Sequence, residues 1–439
     1  PVVDMFFLAG ASRTMPEGDI INIFTKAFAT DPLLACKCLV WSRDCRGGAG
    51  EKKFYRTILR FLSVAYPNLL DQIQIHSPEY GSWKDVFLTE EPNSNNLDWL
   101  SRQLTEQENN LLAKWYPRKG KWFSAMHKHM DIKPRELRKL LVNLTNVVET
   151  KMCSGNFDKI NYSHVPSNAF NRYKKAFERN DPTRFKMFIS DLSQGKTKVN
   201  SSQLFPYELY VSFRRGENQQ LIDEQWNALP DYVTKGSFLP VVDVSGSMDT
   251  PVGKGLTAMD ISISLGLYLS ERNKSSFKDA FITFSERPQL CYLKGTATQR
   301  MNQLSCADWG YNTNLEAVFN LILSRATETS LAPEDMPESI IIISDMEFDA
   351  AQKDKTTNYE AIADLFSQSG YKLPKIVFWN VCGRIGNVPV SASRQDTALI
   401  SGYSPSIVKS ILSGEDFTPR GIMLQTLLSE RYKRIDPEF

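Results

Sequence analysis

A helical array followed by an α/β domain with a doubly wound parallel sheet is the multidomain fold class that this 439-residue sequence predicts. Three observations predict it. Up to about residue 235, apolar residues recur at helical spacing between short Gly-, Pro- and Asn-containing breaks. From Gly236 onward, short apolar runs alternate with helical stretches, the pattern of a parallel sheet covered on both faces. The composition, 42% hydrophobic and 23% charged, is that of a globular chain with enough apolar material for more than one core.

In the first region, residues 19–30 carry Ile20, Ile23, Phe24 and Ala27 at i, i+3, i+4, i+7. Residues 53–66 carry Phe54, Ile58, Phe61, Leu62 and Ala65 on one face, and Pro67 stops that helix. Pro134 stands where a first helical turn begins, with Leu137, Leu140, Leu141 and Leu144 behind it. The breaks at 46–50, 91–96 and 117–120 are short, which suggests stacked helical hairpins of the HEAT type, although no strict repeat period runs through them.

In the second region, strands are expected at 237–242 (SFLPVV), 280–284 (AFITF), 339–343 (SIIII), 375–381 (KIVFWNV) and, more weakly, 397–401. Helices are expected at 259–272, 315–325, 359–367 and 406–412. Pro240 conflicts with a central strand, because it removes a ladder donor, so it is expected at a bulge or next to an unpaired position. Met423, Leu424, Leu427 and Leu428 give the final segment an apolar face for docking back onto the body. The domains are therefore placed at 1–235, 236–415 and a helical tail at 416–439.

Net charge is only +2, but it is unevenly spread. Residues 101–200 hold 20 Lys and Arg against 9 Asp and Glu, an excess of +11, whereas residues 201–439 carry −7. A basic middle beside an acidic end is a signature of a polyanion partner, or simply a set of solvated helix faces. Seven scattered cysteines, Cys36, Cys38, Cys45, Cys153, Cys291, Cys306 and Cys382, form no paired spacing and point to reduced thiols in a cytosol-like compartment. No run approaches the ~20 apolar residues of a membrane span, and the opening residues show no secretory-signal pattern.

One constellation carries specific chemistry. Asp243-Val-Ser245-Gly-Ser247 follows the first strand of the second region, so a carboxylate and two hydroxyls converge at a sheet edge where open α/β folds bind ligands. Hard oxygen donors of this kind suit Mg²⁺ or Mn²⁺. Two later loops are expected to finish the shell: one with Thr313, the other with Asp345 just past the strand 339–343. No general base or nucleophile is evident beside Asp243, which argues against an enzyme.

These residues resemble the metal-ion-dependent adhesion site of von Willebrand factor A (vWA) domains, as in integrins and the Ro autoantigen. Asp243, Ser245 and Ser247 match its first loop, Thr313 its second and Asp345 its third; Asn314 departs from the acid common there. The resemblance implies a protein partner that supplies a carboxylate as the last metal ligand. Other segments are similar to a family with an RDxRGGxGER signature and a C-terminal vWA domain, found in plants, fungi, large DNA viruses and phages. They are residues 43–52 (RDCRGGAGEK), 80–85 (YGSWKD), 113–117 (AKWYP), 160–167 (INYSHVPS) and 402–405 (GYSP). That family is distantly similar to the Ro and telomerase-associated TROVE proteins, helical-repeat rings that bind RNA.

The Gly47-Gly48-Ala49-Gly50 loop has two readings on its own physics: a backbone nest for a phosphate beside Arg43 and Arg46, or a tight inter-helix turn whose arginines pair with Asp44, Glu51 or Asp85. The basic middle interleaves aromatics with Lys114, Arg118, Lys119, Lys121 and Trp122, and continues to Lys174 and Lys175. This is the mixture that binds single strands through phosphates and stacking, or an amphipathic helix pattern with aromatic core residues. The expected function is a non-enzymatic, Ro-like cytoplasmic protein (in the host cytoplasm or virion if the protein is viral). It binds single-stranded or structured RNA and makes a Mg²⁺-dependent protein contact. The alternative is an assembly or virion-associated scaffold that uses the metal site alone.

Overall fold

The computed structural model describes the chain except for residues 90–91, 93, 234–235, 254, 285–286, 306–314, 347–354, 383–394 and 413–416, and for the side chains of 305, 355–361, 410 and 412. The N-terminal region is helical and the C-terminal region is a mixed α/β sheet unit. Residues 1–233 contain helices and no strand among the described residues. Expected and observed helices agree closely: Glu17–Thr30, Lys53–Ala65 and Pro134–Leu144. The helix Pro32–Arg43 starts where local chemistry dictates. Asp31 caps it by accepting from the Leu34 N–H at 2.9 Å, and Pro32 fills the first turn, where no donor is needed.

The sheet contains β1 (Phe238–Asp243), β4 (Ala280–Phe284), β5 (Leu290–Tyr292), β6 (Ser339–Ser344), β7 (Lys375–Asn380) and β8 (Thr397–Ser401). A separate hairpin pairs β2 (Pro251–Gly253) with β3 (Leu256–Thr257). Strand order is β5-β4-β1-β6-β7-β8, all parallel except the antiparallel edge strand β5. The chain thus winds outward from β1 in one direction and then returns to the other side, leaving a switch point between the carboxyl ends of β1 and β6. β6 is buried along its whole length, as expected of a strand covered on both faces. Pro240 sits opposite Ile341 of β6, while the ladder to β4 begins only at Val241, so the missing donor falls where β1 is paired on one side.

The helix Ala258–Arg272 seats β1. Thr257 and Asp260 form a reciprocal capping box at 3.0 and 3.3 Å. A Cβ at Gly266 would lie 2.2 Å from Val242 Cγ2, so only glycine admits this close approach of helix to strand. The Ser262 hydroxyl donates to the Ile343 carbonyl at 2.9 Å, which ties the same helix to β6.

The main core crosses the change of texture at Gly236. Met5, Phe6, Phe24 and Trp41 belong to the same apolar cluster as the sheet strands. Ser401 of β8 donates to the Phe6 carbonyl and accepts from the Gly10 N–H, both at 3.1 Å, which fastens the helix Val2–Ala9 to the sheet. Two smaller clusters, within residues 83–141 and 160–221, belong to the helical region alone. The tail does dock. Met423 and Leu427 of the helix Pro419–Leu427 are buried, whereas Leu428 faces solvent.

Beyond that helix, Arg431 and Tyr432 meet Asp44, which is fully buried. The Asp44 carboxylate accepts from the Arg431 guanidinium, from the Tyr432 hydroxyl at 2.8 Å, and from the backbone N–H groups of Arg46 and Gly47 at 2.9 and 3.1 Å. Replacing Asp44 by Ala is expected to cost about 3 kcal/mol in urea unfolding. This is the lower end for a broken buried pair, because the Arg431 side chain is 35% exposed and can rehydrate. A loss below about 1 kcal/mol would show that the tail is not held this way.

Candidate metal centre

β1 delivers Asp243 to the switch point as its last residue, and the chain then turns through Ser245, Gly246 and Ser247 into a short 3-10 segment, Gly246–Asp249. Buried Met248 anchors that turn from below. Asp243 is fully buried. Its Oδ1 accepts from the Ser245 N–H at 2.9 Å, and its Oδ2 accepts from the Ser344 hydroxyl at the end of β6. The Ser245 and Ser247 hydroxyl oxygens lie 3.1 Å apart. One carboxylate and two hydroxyls therefore gather within a single turn, as their spacing predicts.

Asp345 follows β6 and is also fully buried. Its position is set by the next residue, Met346, which adopts φ 64°, a left-handed conformation that costs on the order of 1–3 kcal/mol for a non-glycine residue. The turn is held because the Met346 N–H donates to the Ser344 hydroxyl at 3.0 Å and the Met346 side chain is itself buried. Ser344 thus links the two loops, bonding to Asp243 on one side and to the Asp345–Met346 turn on the other. That role was not apparent in the sequence, where Ser344 reads only as the loop residue between the strand 339–343 and Asp345. Thr313 lies outside the described residues.

Burial, and then the nearby charge of Asp345, push the Asp243 carboxyl up to about 6, against the hydrogen bonds from Ser344 and Ser245 that favour its ionised form. Two buried carboxylates side by side are an arrangement that a divalent cation relieves. The donor set, carboxylate and hydroxyl oxygen, fits Mg²⁺ or Mn²⁺. Among the described residues, no group of three or more His, Cys, Asp and Glu side chains is placed to hold a metal ion, so a site here relies on the serine hydroxyls beside Asp243.

The residues expected to contact RNA divide. Arg43 is buried and its Nε donates to Asp85 at 2.8 Å. Arg46 is exposed, and its guanidinium donates to the Glu79 carbonyl. Lys114 pairs with Glu149 at 2.6 Å, and Arg118 donates to Thr145 at 3.3 Å. Lys119 and Lys121 are exposed, as is Lys175, which reaches Glu217 at 3.1 Å.

Two expectations need correction. Trp122 is only 5% exposed, donates its indole N–H to the Thr89 carbonyl at 2.8 Å and packs edge-on against Phe87, so its ring is core and offers no face to a base. Lys174 is buried and spends its ammonium on Glu217, Asn171 and Ser212 at 2.7, 2.7 and 3.1 Å, so it faces inward and not toward a phosphate. The Gly47–Gly50 loop resolves to the structural turn. The backbone N–H groups that would cradle a phosphate are taken by Asp44, and a Cβ at Gly48 would lie 2.2 Å from the Trp41 carbonyl oxygen. Of the expected RNA contacts, Arg43, Arg46 and Lys114 line one common cleft; the others do not.

The chain matches two domains of unknown function, DUF2828 over residues 101–238 and DUF7788 over residues 237–433. Their seam falls at the start of β1. It is also 29% identical, over 489 aligned positions, to "Uncharacterized protein L728" of Acanthamoeba polyphaga mimivirus; the match covers 96% of this chain and 84% of that protein.

The raised Asp243 carboxyl makes a prediction about stability without metal. Its folded value near 6 lies above the ordinary 3.8, so its contribution is full below about pH 4 and is lost as pH rises through about 6. In EDTA, Asp243→Asn is expected to raise the melting temperature at pH 7.5, with little gain at pH 4.5. Equal melting temperatures for the two proteins at pH 7.5 would contradict it.

Proposed function

We propose that this chain is a non-enzymatic binding protein with two receiving faces. In this reading the α/β half is a vWA-type domain that holds Mg²⁺ or Mn²⁺ with Asp243, Ser245 and Ser247, assisted by Thr313 and Asp345. A protein partner supplies a carboxylate as the remaining ligand. The observation that carries the reading is the convergence of Asp243, Ser245 and Ser247 with the Asp345 loop at the switch point between β1 and β6. The strand order and the antiparallel edge strand support it. A carboxylate buried beside a second carboxylate supports a cation as the missing component.

The helical half, read as HEAT-like, binds single-stranded or structured RNA in a Ro-like manner. Support comes from the +11 excess over residues 101–200 and from the exposed Lys119, Lys121 and Lys175. The contact is made through phosphates, because the expected stacking ring is buried. The alternative is a virion-associated or assembly scaffold that uses the metal site for protein contact and binds no RNA. No helix among the described residues is long and apolar enough to cross a membrane.

Calorimetric titration of the full chain with Mg²⁺ tests the reading. Wild type is expected to bind one ion, and Asp243→Ala to lose at least about tenfold in affinity, roughly 1.4 kcal/mol. Equal affinity in both proteins would overturn the metal site. In the same preparation, RNA affinity should fall with salt by a log–log slope of about −0.7 per phosphate contact. No RNA binding at low salt would leave the scaffold alternative.

A further inference from the structure

The helical half contains a cleft of about 950 Å³, the upper end of the range for small-ligand pockets. It is assembled from stretches that are distant in sequence, among them residues 43–52, 81–84, 114–115, 146–149, 160–166 and 203–208. Nine Lys and Arg side chains line it against two Glu. Neither glutamate balances the excess. Glu149 is taken by Lys114 at 2.6 Å and by the Tyr173 hydroxyl at 3.0 Å. Glu208 accepts from the Phe205 N–H at 2.9 Å, and burial pushes its carboxyl toward the neutral form.

Behind the wall, one carboxylate serves two guanidiniums. Fully buried Asp85 accepts from Arg43 Nε at 2.8 Å and from Arg56 Nε at 2.6 Å. Gly81 makes room for this pairing, since a Cβ there would stand 2.7 Å from both Arg43 Nε and Asp85 Oδ2. The pair fixes the Arg43 guanidinium at the cleft, yet its Nη1 is buried and makes no hydrogen bond, although Arg43 is only 2% exposed. A buried guanidinium N–H without an acceptor leaves positive charge uncompensated directly behind the cleft wall.

Lys52 and Lys84 stand at the same cleft without an ion-pair partner among the described residues. The Lys84 ammonium lies 3.7 Å over the Trp115 ring. Burial, and then Arg172, Arg56, Lys114 and Lys52, hold it below the ordinary lysine range. Burial, and then Arg43 and Arg13, do the same to Lys52. These cations therefore face one another across one space. A carboxylate ligand carries a single charge; several uncompensated cations call for a polyanion, and Arg with Lys is the pairing that takes phosphate oxygens.

We propose that this cleft binds a phosphate ester of nucleotide size, its phosphoryl oxygens taken by the Lys52 and Lys84 ammonium groups, with the buried Arg43 and Arg56 guanidiniums adding positive charge behind them. The site is independent of the metal centre. It rests on the RNA reading only where the phosphate belongs to a strand.

The full chain, in EDTA and about 50 mM NaCl, is titrated by calorimetry with inorganic tripolyphosphate, ATP and a 5′-phosphorylated ten-nucleotide RNA. At least one is expected to bind and to weaken as salt rises. Lys52→Gln/Lys84→Gln is expected to lose about tenfold or more in affinity, while its ligand-free melting temperature stays equal or rises, because like charges have been removed. Binding of tripolyphosphate and ATP identifies a small phosphorylated ligand, and binding of RNA alone identifies a strand; both support the site. If none binds, or if the double variant binds as wild type does, the proposal is overturned. If RNA binding is lost in Lys119→Gln/Lys121→Gln and kept in Lys52→Gln/Lys84→Gln, the cleft is overturned while the RNA reading stands.

Discussion

The buried carboxylate of Asp44 holds together parts of the chain that lie nearly 400 residues apart. It draws in Arg431 and Tyr432 from the tail and, with its other lone pairs, closes the loop that follows the helix Pro32–Arg43. The loop so closed is a packing reference for both halves. On one side, Gly48 accepts at its carbonyl from Ser406, and Gly402, with φ 120°, packs a Cβ-sized distance from Ala49, so the turn after β8 seats directly on it. On the other side, the same loop carries Arg43 and Lys52 to the wall of the cationic cleft. Loss of this one carboxylate would therefore be felt at the sheet and at the cleft together.

Both candidate sites follow one electrostatic logic with opposite sign. At the switch point of the sheet, two carboxylates are buried side by side; in the helical half, lysines and arginines are gathered with too few acids. In the readings proposed above, a counter-charge from outside the chain, a cation at the one and an anion at the other, would relieve each set. The strained turn at Met346 belongs to the same pattern, since it places the Asp345 loop beside Asp243 at the expense of local backbone energy.

Much of this was legible from sequence because the α/β half uses strong local signals. The strands 280–284 and 397–401 fall as expected, and β1, β6 and β7 differ by a residue at their ends. The strand β5 and the hairpin β2–β3 were not foreseen, since each is only two or three residues long and lacks an alternating run. The convergence of Asp243, Ser245 and Ser247 was legible because they lie within one turn at a strand's end. Trp122 misled, because aromatics between lysines look alike whether the rings stack on bases or turn inward. With Phe123 and Met126 buried beside it, the helix Lys121–His129 is amphipathic with an aromatic core face. Lys174 could not be placed without knowing that Glu217 folds against it. The cleft was hidden for the same reason, as its cations come from separate stretches whose meeting is a property of the tertiary fold.

The central claim, that Asp243, Ser245 and Ser247 form a divalent-cation site, is tested most directly by anomalous diffraction from crystals grown in Mn²⁺. The account predicts one anomalous peak at the carboxyl ends of β1 and β6, about 2.0–2.3 Å from oxygens of Asp243, Ser245 and Ser247. A peak elsewhere, with only protein hydrogen bonds among these three residues, would contradict it.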